Sequence, residues 1–219
     1  MSPRQVVSAA RRDMGSVKQQ VAIQAPHLWV RGEGRSPDAP YVDLLSLDTG
    51  RYMNWFVVAT SSRAGVTLFP LLWYFTTEGL HAVQVDDRGP ALYYQPHALD
   101  RVLGSAGSSD IVHALREFHH RNYLKAFTIH PYKGDPEACV AVCTDGYLPG
   151  SRMGDSPIIS ISTFYDLVRG RRRFGDVRQM AEWAQRLTIL PDPGTPRIST
   201  PITAWGRGYS LPPAIRRAA

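Results

Sequence analysis

Cysteine is scarce: the 219-residue chain has two, Cys139 and Cys143, both within ACVAVC. On a strand, side chains four residues apart face the same way yet stand roughly 13 Å from one another, too far for a disulfide. The pair therefore reads as buried thiols in a reducing compartment. Three residues separate them where a zinc ribbon has two, and the adjacent His119 and His120 point in different directions, so no metal site is expected. Long apolar runs are missing too. The longest, VTLFPLLWYF, is too short to span a bilayer and contains Pro70. The opening MSPRQVVSAARRDMG lacks the apolar core of a secretion signal. A cytoplasmic protein with no membrane partner is the expectation. Walker loop, dinucleotide fingerprint, nucleophile elbow and zincin motif are all lacking. Among the familiar chemistries, acid–base catalysis by His, Arg, Lys and Tyr is left with enough candidates.

What the chain does have is a basic balance, 25 Lys+Arg against 19 Asp+Glu for a net charge of +6. That favours a polyanionic partner such as RNA or another nucleic acid. Its length suits one domain, placed at 1–190, with 1–20 a short helix or loose N-terminal arm. The Pro- and Gly-rich residues 191–219 read as an extended tail. No internal repeat is visible.

The stretch VAIQAPHLWVRGEGRSPDAPYVDLL reads as strand, exposed loop from Arg31 to Pro40, then strand. Residues 51–95 are rich in aromatic and β-branched side chains and are punctuated by SSRAG, TEG and DDRGP, which predicts an antiparallel meander. Two helices follow, 97–103 and 109–123, the second capped by Ser108 or Ser109 with Asp110 in its first turn. Ile111, Val112, Leu115 and Phe118 give it an apolar face for the sheet. Strands return in KAFTIHPY, ACVAVCTDGYLPG and PIISISTFYDLV, and a last helix is placed near 176–187. The fold class is α+β: a twisted, mostly antiparallel sheet with helices packed on one face.

Four groups of residues carry candidate chemistry. In ALYYQPHALDR a strand stops at Pro96, and His97 and Arg101 then share one side of a new helical turn. A histidine exchanges protons near neutral pH and an arginine one turn on can hold a phosphate. The plainer alternative has His97 capping while Arg101 pairs with Asp100 or a neighbouring strand. In FHHRNYLKAFTIHPYKGD the residues His119, His120, Arg121, Asn122, Lys125, His130, Tyr132 and Lys133, with Arg116 one turn before, crowd a helix–strand joint. Such density suits a phosphodiester site, and equally a wet helix end whose cations complement the dipole. ISISTFYD alternates, which places Ile159, Ile161 and Thr163 on one face and Ser160, Ser162 and Phe164 on the other. Thr163 or Tyr165 at its end is within reach of a substrate, or simply satisfies a sheet edge. RGRRRFGDVR offers Arg169, Arg171, Arg172 and Arg173 as phosphate contacts or as a solvated loop.

Taken in order, HALDR opening one helix, ALREFHHRN closing the next and SISTFY in a closing strand resemble bacterial toxin-like ribonucleases. The group is the RelE/barnase–EndoU–colicin type with an HAxxR helix before a curved antiparallel sheet, and the likeness covers roughly Tyr74 to Val168. It implies His97 and Arg101 as the motif pair and Thr163 on the closing strand, with Lys125, His130 or Tyr132 as partner. It also implies metal-independent RNA cleavage through a cyclic 2′,3′-phosphate, without cofactor, in a toxin–antitoxin or phage-defence setting with an antitoxin or immunity protein as partner. The alternative is a non-catalytic basic module of a phage or mobile element that binds nucleic acid or protein.

Overall fold

The structure, a computed structural model, describes residues 1–85, 89–106, 110–123, 128–132 and 135–166. Its first element decides between a short helix and a loose arm in favour of a helix, and a long one. Helix α1 (Pro3–Gln24) is started by a reciprocal cap: Ser2 Oγ accepts from the Gln5 amide at 3.4 Å, and Gln5 Oε1 accepts from the Ser2 amide at 2.8 Å. Pro3 occupies its first turn, where a missing N–H costs nothing. Val7, Ala10, Met14, Val17 and Val21 recur at helical spacing and are all buried. Asp13 lies among them, 1% exposed, and its Oδ2 accepts from the Trp55 indole at 3.0 Å and the Thr49 hydroxyl at 2.6 Å. Helix α2 (His27–Gly32) replaces the strand expected over VAIQAPHLWV. The buried positions there, Val21, Ala25 and Leu28, are spaced by four and three, a helical rather than an alternating pattern.

Strands β1 (Tyr41–Leu47), β2 (Trp55–Ser62), β3 (Gly65–Thr76), β4 (Gly79–Gln84) and β5 (Ala91–Tyr94) form the expected antiparallel meander. SSRAG and TEG mark two of its turns, where Gly65 and Gly79 take φ of 115° and 126°. A β-carbon at Gly32 would overlap the Ser61 side chain, so glycine is what lets α2 lie this close to β2. A second antiparallel meander comprises β6 (Thr128–Tyr132), β7 (Asp135–Val142), β8 (Gly146–Arg152) and β9 (Ile158–Ile161), and β10 (Tyr165–Asp166) pairs with β8. The order across the sheet is β1-β2-β3-β4-β5-β9-β8-β7-β6. The meanders meet at β5 and β9, the one parallel pairing among the described strands, running from Ala91 opposite Ile158 to Tyr94 opposite Ile161.

Two local readings change. ACVAVCTDGYLPG is a hairpin, because Thr144–Asp145 turn the chain back between β7 and β8. The strand in ISISTFYD breaks after Ile161, which resets its alternation: Ile159, Ile161 and Phe164 share one core, and Thr163 sits half-buried in the break.

Helices α3 (Pro96–Ala106) and α4 (Ile111–Asn122) lie close to their expected positions and pack on each other. The cap of α4 is Asp110 rather than a serine, with its Oδ1 accepting from the His113 amide at 2.9 Å. The α+β class and the helix-bearing sheet hold, but helices cover both faces. On one, α1 and α2 bury Val57, Val83, Tyr93 and Ile158. On the other, α3 and α4 bury Phe56, Ala82, Leu92, Ile159 and Ile161. Neighbouring residues of one strand thus enter different cores, as the two-residue period of a strand requires. Among the described residues no helix is long and apolar enough to cross a membrane. The helix expected near 176–187 and the tail 191–219 lie outside the described residues.

Asp13 is the side chain on which this arrangement can be tested. Asp13→Ala leaves the Trp55 N–H without an acceptor, and a loss of about 2–4 kcal/mol in urea unfolding is expected. Asp13→Asn, which keeps an acceptor oxygen, should lose clearly less.

Candidate functional site

Gln95 builds the corner that the sequence marks with Pro96. Its amide donates to Ile161 O at 3.1 Å, continuing the parallel ladder by one bond, and its Nε2 donates to Ser160 Oγ at 2.7 Å. The Gln95 carbonyl then accepts from the Ala98 and Leu99 amides at 3.0 and 3.2 Å, so the first turn of α3 begins where β5 and β9 end. Ala98, Leu99 and Val102 are buried under α3. His97, Asp100 and Arg101 are exposed on its opposite side.

His97 and Arg101 therefore stand one turn apart on the exposed side of α3. Neither has a hydrogen bond or ion pair among the described residues, so the alternative of an Asp100 or strand partner for Arg101 is not realised there. Thr163 follows β9 at this same end, and α3 packs against β10, which carries the exposed Tyr165.

The helix–strand joint proves less uniform than its composition. His119 is 3% exposed and donates from Nε2 to Phe69 O at 2.8 Å. Burial pushes its pKa down to about 4, while the bond to Phe69 pulls the other way. Its ring is a neutral strut between α4 and β3. Arg121 is paired to Asp145, Nε to Oδ2 at 2.9 Å. Buried Asn122 donates to Phe118 O at 2.8 Å and to Asp145 Oδ2 at 3.0 Å, and its Oδ1 accepts from the Asp145 amide at 3.0 Å. These contacts tie the end of α4 to the β7–β8 turn. Arg116 is half-buried, with an Nε that has no hydrogen-bond partner. His130 and Tyr132 fall on β6, four strands along from β5. Lys125, Lys133, Arg169, Arg171, Arg172 and Arg173 lie outside the described residues.

The thiols are buried, as read from the sequence. Burial pushes Cys139 up to about 11 and Cys143 to about 12, which leaves both protonated and unreactive. Among the described residues no group of three His, Cys, Asp or Glu side chains is placed to hold a metal ion.

Two groupings escape the sequence reading. His81, buried on β4, has Nδ1 2.8 Å from the Tyr93 hydroxyl and Nε2 3.0 Å from the Thr76 hydroxyl, and its ring stacks on Tyr74 at 5.2 Å. Burial lowers its pKa, with Glu78 acting in the opposite direction. The alternation of GLHAVQ against ALYY held the signal, since His81 and Tyr93 fall on the same face of paired strands. The second grouping is Arg4, Arg11 and Arg12 on α1, residues that the sequence reading does not single out within the N-terminal stretch.

Comparison with protein-family models, with curated proteins and with solved structures finds no match to this chain.

The buried His119 gives a pH test. An unfolded histidine titrates near 6.5 and the folded one near 4. Below pH 6.5 the unfolded chain takes up a proton that the folded chain refuses, so this stabilisation is complete above 6.5 and is lost as pH falls towards 4. About 3 kcal/mol is at stake. Urea midpoints should fall over that window, and His119→Gln, which keeps an N–H for Phe69 O, should flatten the fall.

Proposed function

We propose that the protein is an RNA-cleaving enzyme of the toxin-like, metal-independent kind, working from the exposed side of α3. The reading rests on one observation: His97 and Arg101 stand together on that surface with no described protein group claiming either. A solvated arginine beside a histidine suits a phosphodiester, since the guanidinium can hold two non-bridging oxygens at once. His97 as base would take the proton from the ribose 2′-hydroxyl, and that oxygen would attack the adjacent phosphorus. Arg101 would carry the charge that builds on the phosphoryl oxygens. The 5′-oxygen leaves with a proton from an acid, giving a cyclic 2′,3′-phosphate. Tyr165, on the strand against which α3 packs, joins Lys125, His130 and Tyr132 as a candidate for that acid, with Thr163 as a hydrogen-bond donor to the phosphate. A cytoplasmic antitoxin or immunity protein covering α3 belongs to the same reading.

A second reading, non-catalytic nucleic-acid binding, is favoured by the withdrawal of His119 into the core. A single histidine does not serve as base and acid in one displacement. The two readings separate in one assay. Labelled single-stranded RNA is incubated with the protein in EDTA between pH 5 and 9. Cleavage to a cyclic phosphate is expected, falling by about 10²-fold or more in His97→Ala and also in Arg101→Ala. Salt-dependent binding without turnover, weakened by Arg101→Ala, would establish the second reading instead. Neither cleavage nor binding would sink both.

A further inference from the structure

We infer that α1 and the turn between β8 and β9 form a binding site for a small phosphorylated molecule of the size and charge of a nucleoside di- or triphosphate. Arg4, Ser8, Arg11 and Arg12 recur along one side of α1 and line a cleft of about 420 Å³. That volume falls within the range of small-molecule sites. The cleft lies at the start of β9, on the sheet face that α1 covers. The His97–Arg101 surface is at the far ends of β5 and β9 on the other face, so the two are separate.

Among the described residues, two of the three guanidiniums are held, and only by neutral groups. Arg4 Nη2 donates to Met153 O at 3.1 Å, in the β8–β9 turn, and Arg11 Nη2 donates to Gly89 O at 2.7 Å, ahead of β5. Carbonyl contacts fix a guanidinium in place without cancelling its charge. Arg11 Nε is buried and has no hydrogen-bond partner. A cationic N–H in that condition is a standing cost that a bound anion relieves. Arg12 is exposed at the lip and has no partner among the described residues. Among the described residues the nearby carboxylates do not answer this charge; Asp86 and Asp87, shortly before Gly89 in the chain, lie outside them. Asp13 points the other way, into the core, where Trp55 and Thr49 occupy it, and Asp155 is exposed in the turn and is not part of the lining.

The floor decides between a bare ion and an organic phosphate. Val7 and Ile158 form part of the lining and belong to the core beneath. Cations on the wall and an apolar floor suit a ligand with a phosphate chain at one end and a flat or apolar body at the other. Two held guanidiniums and the exposed Arg12 supply three positive charges for the three or four negative charges of a nucleoside di- or triphosphate.

The test uses the full chain, with calorimetric titration and thermal melting against inorganic pyrophosphate, adenosine triphosphate and adenosine. Adenosine triphosphate should bind at least tenfold more tightly than pyrophosphate, and adenosine should not bind. At a hundredfold excess over Kd, adenosine triphosphate should raise the melting temperature by about 5–10 °C. Arg12→Ala, at an exposed position that does not threaten folding, should weaken binding at least tenfold, and Arg12→Glu more so. Arg101→Ala should leave it unchanged, which keeps the result independent of the RNA-cleaving reading. No binding of either phosphate at millimolar concentration would overturn the inference. So would binding that survives Arg12→Glu, or single-stranded RNA that depends on Arg12 while adenosine triphosphate is ignored.

Discussion

By accepting hydrogen bonds from the Trp55 indole and the Thr49 hydroxyl, the buried Asp13 carboxylate fixes how α1 is turned about its own axis. Apolar contacts are non-directional and would tolerate a helix rotated by tens of degrees. A carboxylate with two defined donors does not. Once Asp13 faces Trp55, the valines at 7, 17 and 21 are committed to the sheet, and Arg4, Arg11 and Arg12 to the side that meets the β8–β9 turn. One buried polar contact thereby sets both the first core and the charged cleft beside it.

The second organising feature is the parallel seam of β5 and β9. Strands sealed on both faces by helices need apolar residues in succession, and Ala91, Leu92, Tyr93 and Tyr94 are all buried. At the end of that seam Gln95 passes its backbone bonds from sheet to helix, so the position of His97 is inherited from the most enclosed part of the molecule. An exposed pair of side chains is thereby carried on a firmly seated first turn.

Turn chemistry made the first meander legible: SSRAG and TEG each carry a glycine at a position that needs positive φ, and such signals are local. The helices α3 and α4 were legible for the same reason, through Pro96 and an apolar face in the second. What escaped depended on contacts made far along the chain. The polar surface of α1 outweighed its buried stripe, although Val7, Ala10, Met14, Val17 and Val21 have helical spacing. VAIQAPHLWV looked like a strand because its apolar residues are many, when their spacing was the better guide. The break after Ile161 moved Thr163 off the face that strict alternation assigned to it, and nothing local announces that break. At the candidate site, His97 and Arg101 were visible as a spacing. That His119 is sealed in and Arg121 is held by Asp145 follows only from tertiary packing.

The parallel seam also constrains the order in which the chain can be assembled. β4 reaches one side of β5 as soon as both are made, but β9 emerges only after α3, α4, β6, β7 and β8. On a ribosome that interval is on the order of several seconds. During it the Ala91–Tyr94 edge is an apolar strand with unpaired backbone groups, the kind of edge that recruits whatever strand arrives first. A β9 from a second nascent chain satisfies it as well as its own, since the pairing residues are identical. The junction that unites the two meanders is therefore the last seam of the sheet to close, and the place where a strand from a second copy would have to enter.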